Sequence, residues 1–208
     1  MRRTKEEAAE TRRIILKSAE YLFMEKSYET VSLEEIAVTA GVTRGAVHWH
    51  FHNKQGLLFA IREEMRRPLQ ELAEQLAADK TDAPLDALTA LGDVTSSTFS
   101  QMQAAPRQRS LLKILLQLDF AASDDEADGG SVFQLQLRTS LIKIFSSIDR
   151  NGGLPSPWTP DSAALTFCAV LNGLVNEWAR GKDDFDLVPD AEKIVRALLS
   201  GWRAPSHK

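Results

Sequence analysis

Three of the four histidines, His48, His50 and His52, fall within TRGAVHWHFHNK (43–54), interleaved with Trp49 and Phe51 and followed by Asn53 and Lys54. Imidazoles ligate metals, move protons and hydrogen-bond phosphates, so spacing has to choose among these chemistries. A metal needs converging ligands, and on a helix only residues three or four apart share a face, which pairs His48 with His52 and leaves His50 out. No cysteine or carboxylate in the segment completes a tetrahedron, so no metal site is expected. The chain also lacks an HExxH pair, a nucleophile elbow and a phosphate-cradling glycine loop, so no catalytic residue and no cofactor is assigned. A helix in the DNA major groove would use these residue types differently. An arginine fork meets guanine O6 and N7, small or hydroxylated side chains meet thymine methyl groups, and ring nitrogens or amines meet phosphates. Thr43, Arg44, Ala46, His48, Trp49, His50 and Lys54 supply that set. Two other readings are a metal-dependent helical enzyme centred on the histidines, and plain polar surface on a helical bundle.

The DNA reading requires a short exposed helix held by its neighbours. Ser32 with Glu35 three residues on is a capping box, opening a helix whose buried stripe is Leu33, Ile36, Ala37 and Ala40. Gly41 follows the last apolar residue, where a left-handed turn costs glycine least, and Thr43 caps the next helix. Val47 and Phe51, one turn apart, face inward while Arg44 and His48 face out, a helix-turn-helix in outline. A preceding helix runs from about Lys5 to Lys26 with Ile15, Ala19, Leu22 and Phe23 on one face. Asn53 caps a fourth helix to about Ala78, striped with Leu58, Ile61, Met65, Leu69, Leu72 and Leu76 and roughly 37 Å long at ~1.5 Å per residue. Pro68 inside it predicts a kink near Glu64 to Pro68, either a lever or a harmless bend. Further helices are expected at about 84–104, 107–121, 131–151, 161–180 and 189–202. Strand signals are nearly absent, so the fold class is all-α with about nine helices.

Composition fits a soluble globular protein: 208 residues, 43% hydrophobic, 26% charged and a net charge of −4. Residues 1–67 carry twelve Lys/Arg against ten Asp/Glu, whereas residues 68–208 carry a net −6, an excess that favours neutral or cationic guests over anions. A lone Cys168 allows no intramolecular disulfide and reads as a small buried hydrophobe. No apolar signal-peptide core lies near the start, and the charge-free stretch 162–176 is shorter than the ~20 apolar residues of a spanning helix. A cytoplasmic protein without membrane contact is expected. Asp124, Glu126 and Asp128 precede Gly129 at EF-hand offsets, but Leu135 stands where the twelfth-position glutamate belongs, so the loop reads as a solvated connector.

SLEEIAVTAGVTRGAVHWHFHNKQGLL resembles the DNA-binding region of TetR-type transcriptional regulators, whose recognition segment commonly reads G-V-S/T-x-G-x-x-Y-x-H-F-x-x-K. The likeness spans about residues 10–60, with His48 where the family usually carries tyrosine. It implies a DNA-binding domain at 1–53 and a ligand-binding and dimerisation domain at 54–208. Carried over by position, Thr43, Arg44 and Gly45 approach bases, and Trp49, His50 and Lys54 grip phosphates. Ser32 and His48 are placed on the same DNA face. The resemblance further implies a homodimer through the last two helices, a double-stranded, near-palindromic operator, and release by a small hydrophobic or aromatic inducer. NGLVNEWARGKDDFDL is similar to the corresponding stretch of the subgroup that represses multidrug efflux pumps, with Gly173, Leu174, Trp178, Phe185, Asp186 and Leu187 at matching spacing. Pocket walls are expected from Phe99, Met102, Phe120, Phe133, Leu137, Phe167 and Asn172, although packed cores use the same residue types. An activator, or a regulator controlled by a protein partner without a small-molecule pocket, is the alternative.

Overall fold

A computed structural model describes residues 5–78, 86–104, 109, 111–115, 129–150, 154–181 and 185–203. Among the described residues there are helices and loops and no strand. Helix α1 spans Lys5–Glu25, α2 Leu33–Ala40, α3 Arg44–Phe51 and α4 Lys54–Ala78. Then come α5 (Ala87–Ala104), a helical stretch at 111–115, α6 (Gly129–Arg150), α7 (Pro160–Ala179) and α8 (Glu192–Gly201). The expected acidic connector (Asp124, Glu126, Asp128) and most of the helix expected at 107–121 lie outside the described residues.

The first four helices begin and end where local chemistry dictates. The Ser32 hydroxyl accepts the Glu35 N–H at 3.1 Å while the Glu35 carboxylate receives the Ser32 N–H, closing the capping box. Gly41 turns the chain at φ +66°, where a Cβ would be strained, and lets its own N–H and that of Val42 close the end of α2. Thr43 accepts the Ala46 N–H to start α3, and Asn53 accepts the Gly56 N–H at 2.8 Å to start α4. Ile15, Ala19, Phe23, Ile36, Val47 and Phe51 bury against Leu57, Leu58 and Ile61 of α4, so the short helices share one core with the start of the long one. α4 runs unbroken through Pro68.

The remaining helices pack around the rest of α4, which lies along α6, with α7 along α6 and α8 against α5. Trp202, just past α8, is buried among Phe145 of α6 (ring centres 5.0 Å apart), Phe167 of α7 (6.3 Å) and Trp158 of the preceding loop (5.3 Å). Two boundaries depart from expectation. α5 begins at Ala87 rather than near Pro84 because the Asp86 carboxylate caps it, accepting the Thr89 N–H at 3.1 Å. The last helix begins at Glu192 rather than Pro189. Val188, extended as residues before proline tend to be, has its backbone N–H and C=O both bonded by the Gln103 carboxamide of α5, so a wide helical turn at Leu187–Ala191 precedes α8.

Candidate DNA interface and ligand cavity

The turn at Gly41 aims α3 outward. Val47 and Phe51 are buried beneath it, while Thr43, Arg44, Gly45, His48 and Trp49 are exposed and His50 is half-buried. Trp49 is 70% exposed, an unusual place for an indole without a partner surface. Arg44 has no hydrogen bond or ion pair among the described residues, so its fork is available. A Cβ on Gly45 would meet only the Thr43 hydroxyl, at 3.8 Å, so glycine there keeps the surface low rather than relieving a clash. The histidine rings diverge: His48 meets His52 edge-on at 5.8 Å, whereas His50 turns to Trp49 (4.5 Å) and Phe51 (6.0 Å).

Ser32 and Lys54 already have structural work. The Ser32 oxygen caps α2. The Lys54 ammonium donates to the Tyr28 carbonyl (2.8 Å) and the Glu29 carbonyl (3.1 Å) and sits 4.7 Å from the centre of the Tyr28 ring. Two of its three N–H groups thus tie the start of α4 to the loop after α1, leaving one for a phosphate. The starts of α2 and α4 open on one depression lined by Tyr28, Thr30, Ser32, Asn53 and Lys54. The unpaired N–H groups and positive dipole ends of two helices there favour an anion.

Between α4, α5, the 111–115 stretch, α6 and α7 lies a cavity of about 110 Å³. Phe99, Met102, Phe133, Leu137 and Asn172 line it as the sequence suggested, joined by Met65, Leu69, Thr95, Thr98, Leu112, Leu115, Leu171, Val175 and Asn176. Phe167 does not reach it: the ring is fully buried, edge-on to Phe145 at 6.0 Å, and belongs to the aromatic core. Phe120 lies outside the described residues. Sequence reasoning also missed Arg62 and Arg66, both on the wall. The signal was present, since positions 58, 62, 65, 66 and 69 share one face of α4, and arginine at 62 interrupts an apolar stripe.

On the far side of Met65 and Met102 is a cleft of about 150 Å³ lined also by Leu16 and Glu20 of α1, Glu64 and Pro68 of α4 and Gln101 of α5. The cavity and the face of α1 are therefore separated by Met65, Met102 and Thr98, which border both spaces.

Cys168 is buried, and loss of solvation pushes its thiol up to about 11, the nearby Arg138 charge only partly offsetting this. At pH 8 on the order of one thiol in a thousand would be ionised. Folded protein is expected to react with a thiol-disulfide dye far more slowly than a surface cysteine, with full reactivity on denaturation; fast labelling of native protein would contradict the burial.

The geometry has counterparts among known proteins. Residues 15–61 match the family described as bacterial regulatory proteins, tetR family. Over 212 residues the chain is 33% identical to the HTH-type transcriptional repressor BepR of Brucella suis biovar 1 (strain 1330), covering 100% of this chain and 99% of BepR. It is 32% identical over 207 residues to the HTH-type transcriptional regulator TtgR of Pseudomonas putida, covering 98% and 96%. Among solved structures, the SmeT–triclosan complex superposes with a TM-score of 0.69 at 26% identity, covering 95% of this chain and 96% of SmeT. NalD, described as the secondary repressor of the MexAB-OprM multidrug efflux pump in Pseudomonas aeruginosa, superposes with a TM-score of 0.63 at 32% identity, covering 95% and 98%. With an exposed reading helix, a cavity behind it and full-length relatives of this kind, the chain is a transcriptional regulator that belongs to the TetR family.

Proposed function

We propose that the protein is a cytoplasmic, homodimeric repressor of a multidrug efflux transporter, bound to a near-palindromic operator and released by a small hydrophobic inducer. The observation that carries this reading is the double role of α4. Its first turns (Leu57, Leu58, Ile61) lie in the core of the reading head, and its next turns (Met65, Arg66, Leu69) wall the cavity. A space of about 110 Å³ holds little more than one ring, whereas sites for drug-sized molecules run to roughly 300 Å³ or more, so a larger guest enters only by moving walls. Moving α4 carries the head, residues 1–53, with it. Release then follows if the widened state binds inducer better and DNA worse than the closed one.

Residues 54–208 supply sensing and pairing. Exposed Leu165 on α7 and Ile194 on α8 suit a subunit interface through the last two helices. Pairing would set two α3 helices about 34 Å apart, one DNA turn, as a palindrome requires. Among the described residues no helix is long and apolar enough to cross a membrane.

Fluorescence anisotropy on DNA from upstream of the gene, with sedimentation to count chains per duplex, tests the proposal. Nanomolar binding of two chains per site, reversed by a hydrophobic aromatic compound, is expected. Binding that no such compound reverses would favour a partner-controlled regulator. In the same assay Arg44→Ala should lose about 1–3 kcal/mol of discrimination at one base per half-site, while affinity for unrelated DNA changes little. An unchanged profile across operator variants would remove Arg44 as the base reader.

A further inference from the structure

We propose that the cavity selects hydrophobic weak acids, with an oxyanion received by Arg66 of α4 and a hydroxyl received by the carboxamides of α7. The inference rests on the inducer reading above and names the chemistry of the guest. Arg62 and Arg66, one turn apart on α4, line a mostly apolar space together with Thr95, Thr98, Asn172 and Asn176, and no Asp or Glu lines it among the described residues. Arg62 is only 6% exposed, its guanidinium 4.1 Å from the centre of the Phe133 ring.

Arg66 provides the clearer receptor. Its side chain is 12% exposed, and both Nε (3.1 Å) and Nη2 (2.7 Å) donate to the same oxygen, Oε2 of Glu63. A guanidinium has two edges that can each hold a carboxylate, and the edge that includes Nη1 has no hydrogen-bond partner among the described residues. A second carboxylate, brought by the guest, fits that edge. In an enclosed apolar space such a charge-assisted pair is stronger than in water.

The wall supplied by α7 has the complementary polarity. Asn172 Nδ2 donates to Gln134 Oε1 at 3.1 Å, and Asn176 Nδ2 donates to the Asn172 carbonyl at 2.8 Å. Both amide oxygens remain as acceptors, which calls for a donor on the guest. The net −6 of residues 68–208 favours neutral or cationic guests when averaged over that half of the chain. The cavity wall reverses that preference, because field strength at the guest is set by the nearest charges in low dielectric.

The test is calorimetric titration of the full chain with 4-hydroxybenzoate and with the neutral isostere 4-hydroxybenzamide. The acid should bind at least about tenfold more tightly, the difference a single charged hydrogen-bond pair supplies. Its advantage should fade as pH falls through the ligand's own carboxyl pKa. Arg66→Gln should weaken the acid more than the amide and bring the two affinities to within about twofold of each other, and Arg66→Lys should retain part of the preference. Equal binding of acid and amide to the unaltered protein, no measurable binding of the acid, or an unchanged ratio in Arg66→Gln would each overturn the proposal. Circular dichroism of each variant separates misfolding from lost recognition. If neutral aromatics release the operator and the acid does not, the inducer reading stands and this one fails. If the acid binds with the predicted ratio and the operator stays bound, the inducer reading is the one that falls.

Discussion

Gly56→Ala is expected to cost about 3 kcal/mol of stability and most of the operator affinity. A Cβ at position 56 would lie 2.2 Å from the Phe51 carbonyl oxygen and 3.3 Å from its carbon. Overpacking usually costs about 1–3 kcal/mol because side chains can yield, but here the obstacle is backbone at the last turn of α3. Relief requires α3 and α4 to part. Phe51 would leave its buried seat, and the Asn53 cap on Gly56 would lengthen. Urea denaturation should show a lower midpoint with the slope retained, and anisotropy should show weaker DNA binding without ligand. A variant with wild-type midpoint and affinity would mean that the junction between reading helix and lever is not this tight.

Trp202→Ala should be as severe at the other end of the molecule. Removing a fully packed aromatic side chain costs about 3–5 kcal/mol, and this indole meets rings from α6, α7 and the 154–159 loop. At roughly 2–4 °C per kcal/mol for a chain of this length, a fall on the order of 10 °C in melting temperature is expected. Trp202→Phe should recover much of it, since edge-on ring contact with Phe145 is retained. A loss of only a degree or two in the alanine variant would show that the C-terminal helix is held instead by buried Val195 and Leu199 together with its polar links to α5. Those links include two exposed ion pairs, Arg196 to Asp93 (3.3 Å) and Arg203 to Asp86 (2.8 Å), worth at most about 1 kcal/mol each, and the Ser96 hydroxyl donating to the Glu192 carboxylate at 2.9 Å.

What the sequence revealed and what it hid divides by distance along the chain. Ser32 with Glu35, Gly41, Thr43 and Asn53 act within three residues or so, and the helix-turn-helix they delimit appears where their spacing puts it. The start of α8 depends on Gln103 holding Val188, a contact across 85 positions that no local pattern encodes. The cavity was half legible for a chemical reason. Phe99 and Phe133 border it and Phe167 does not, yet all three are phenylalanines on amphipathic helices, and which one meets a void is decided by packing. Arg62 and Arg66 do not follow from the apolar pattern that a greasy wall implies, although a cation inside an apolar stripe is the rarer and more informative observation.

The partition between the cavity and the cleft against α1 is built largely of Met65 and Met102, unbranched thioethers with several soft torsions. A boundary of that kind yields at nearly the same cost to a disc, a rod or a bent outline. Contour would therefore be a poor filter among incoming compounds, and selectivity would pass to the few groups that cannot flex without losing a bond. A sensor so constructed answers to many shapes that share one pattern of polarity.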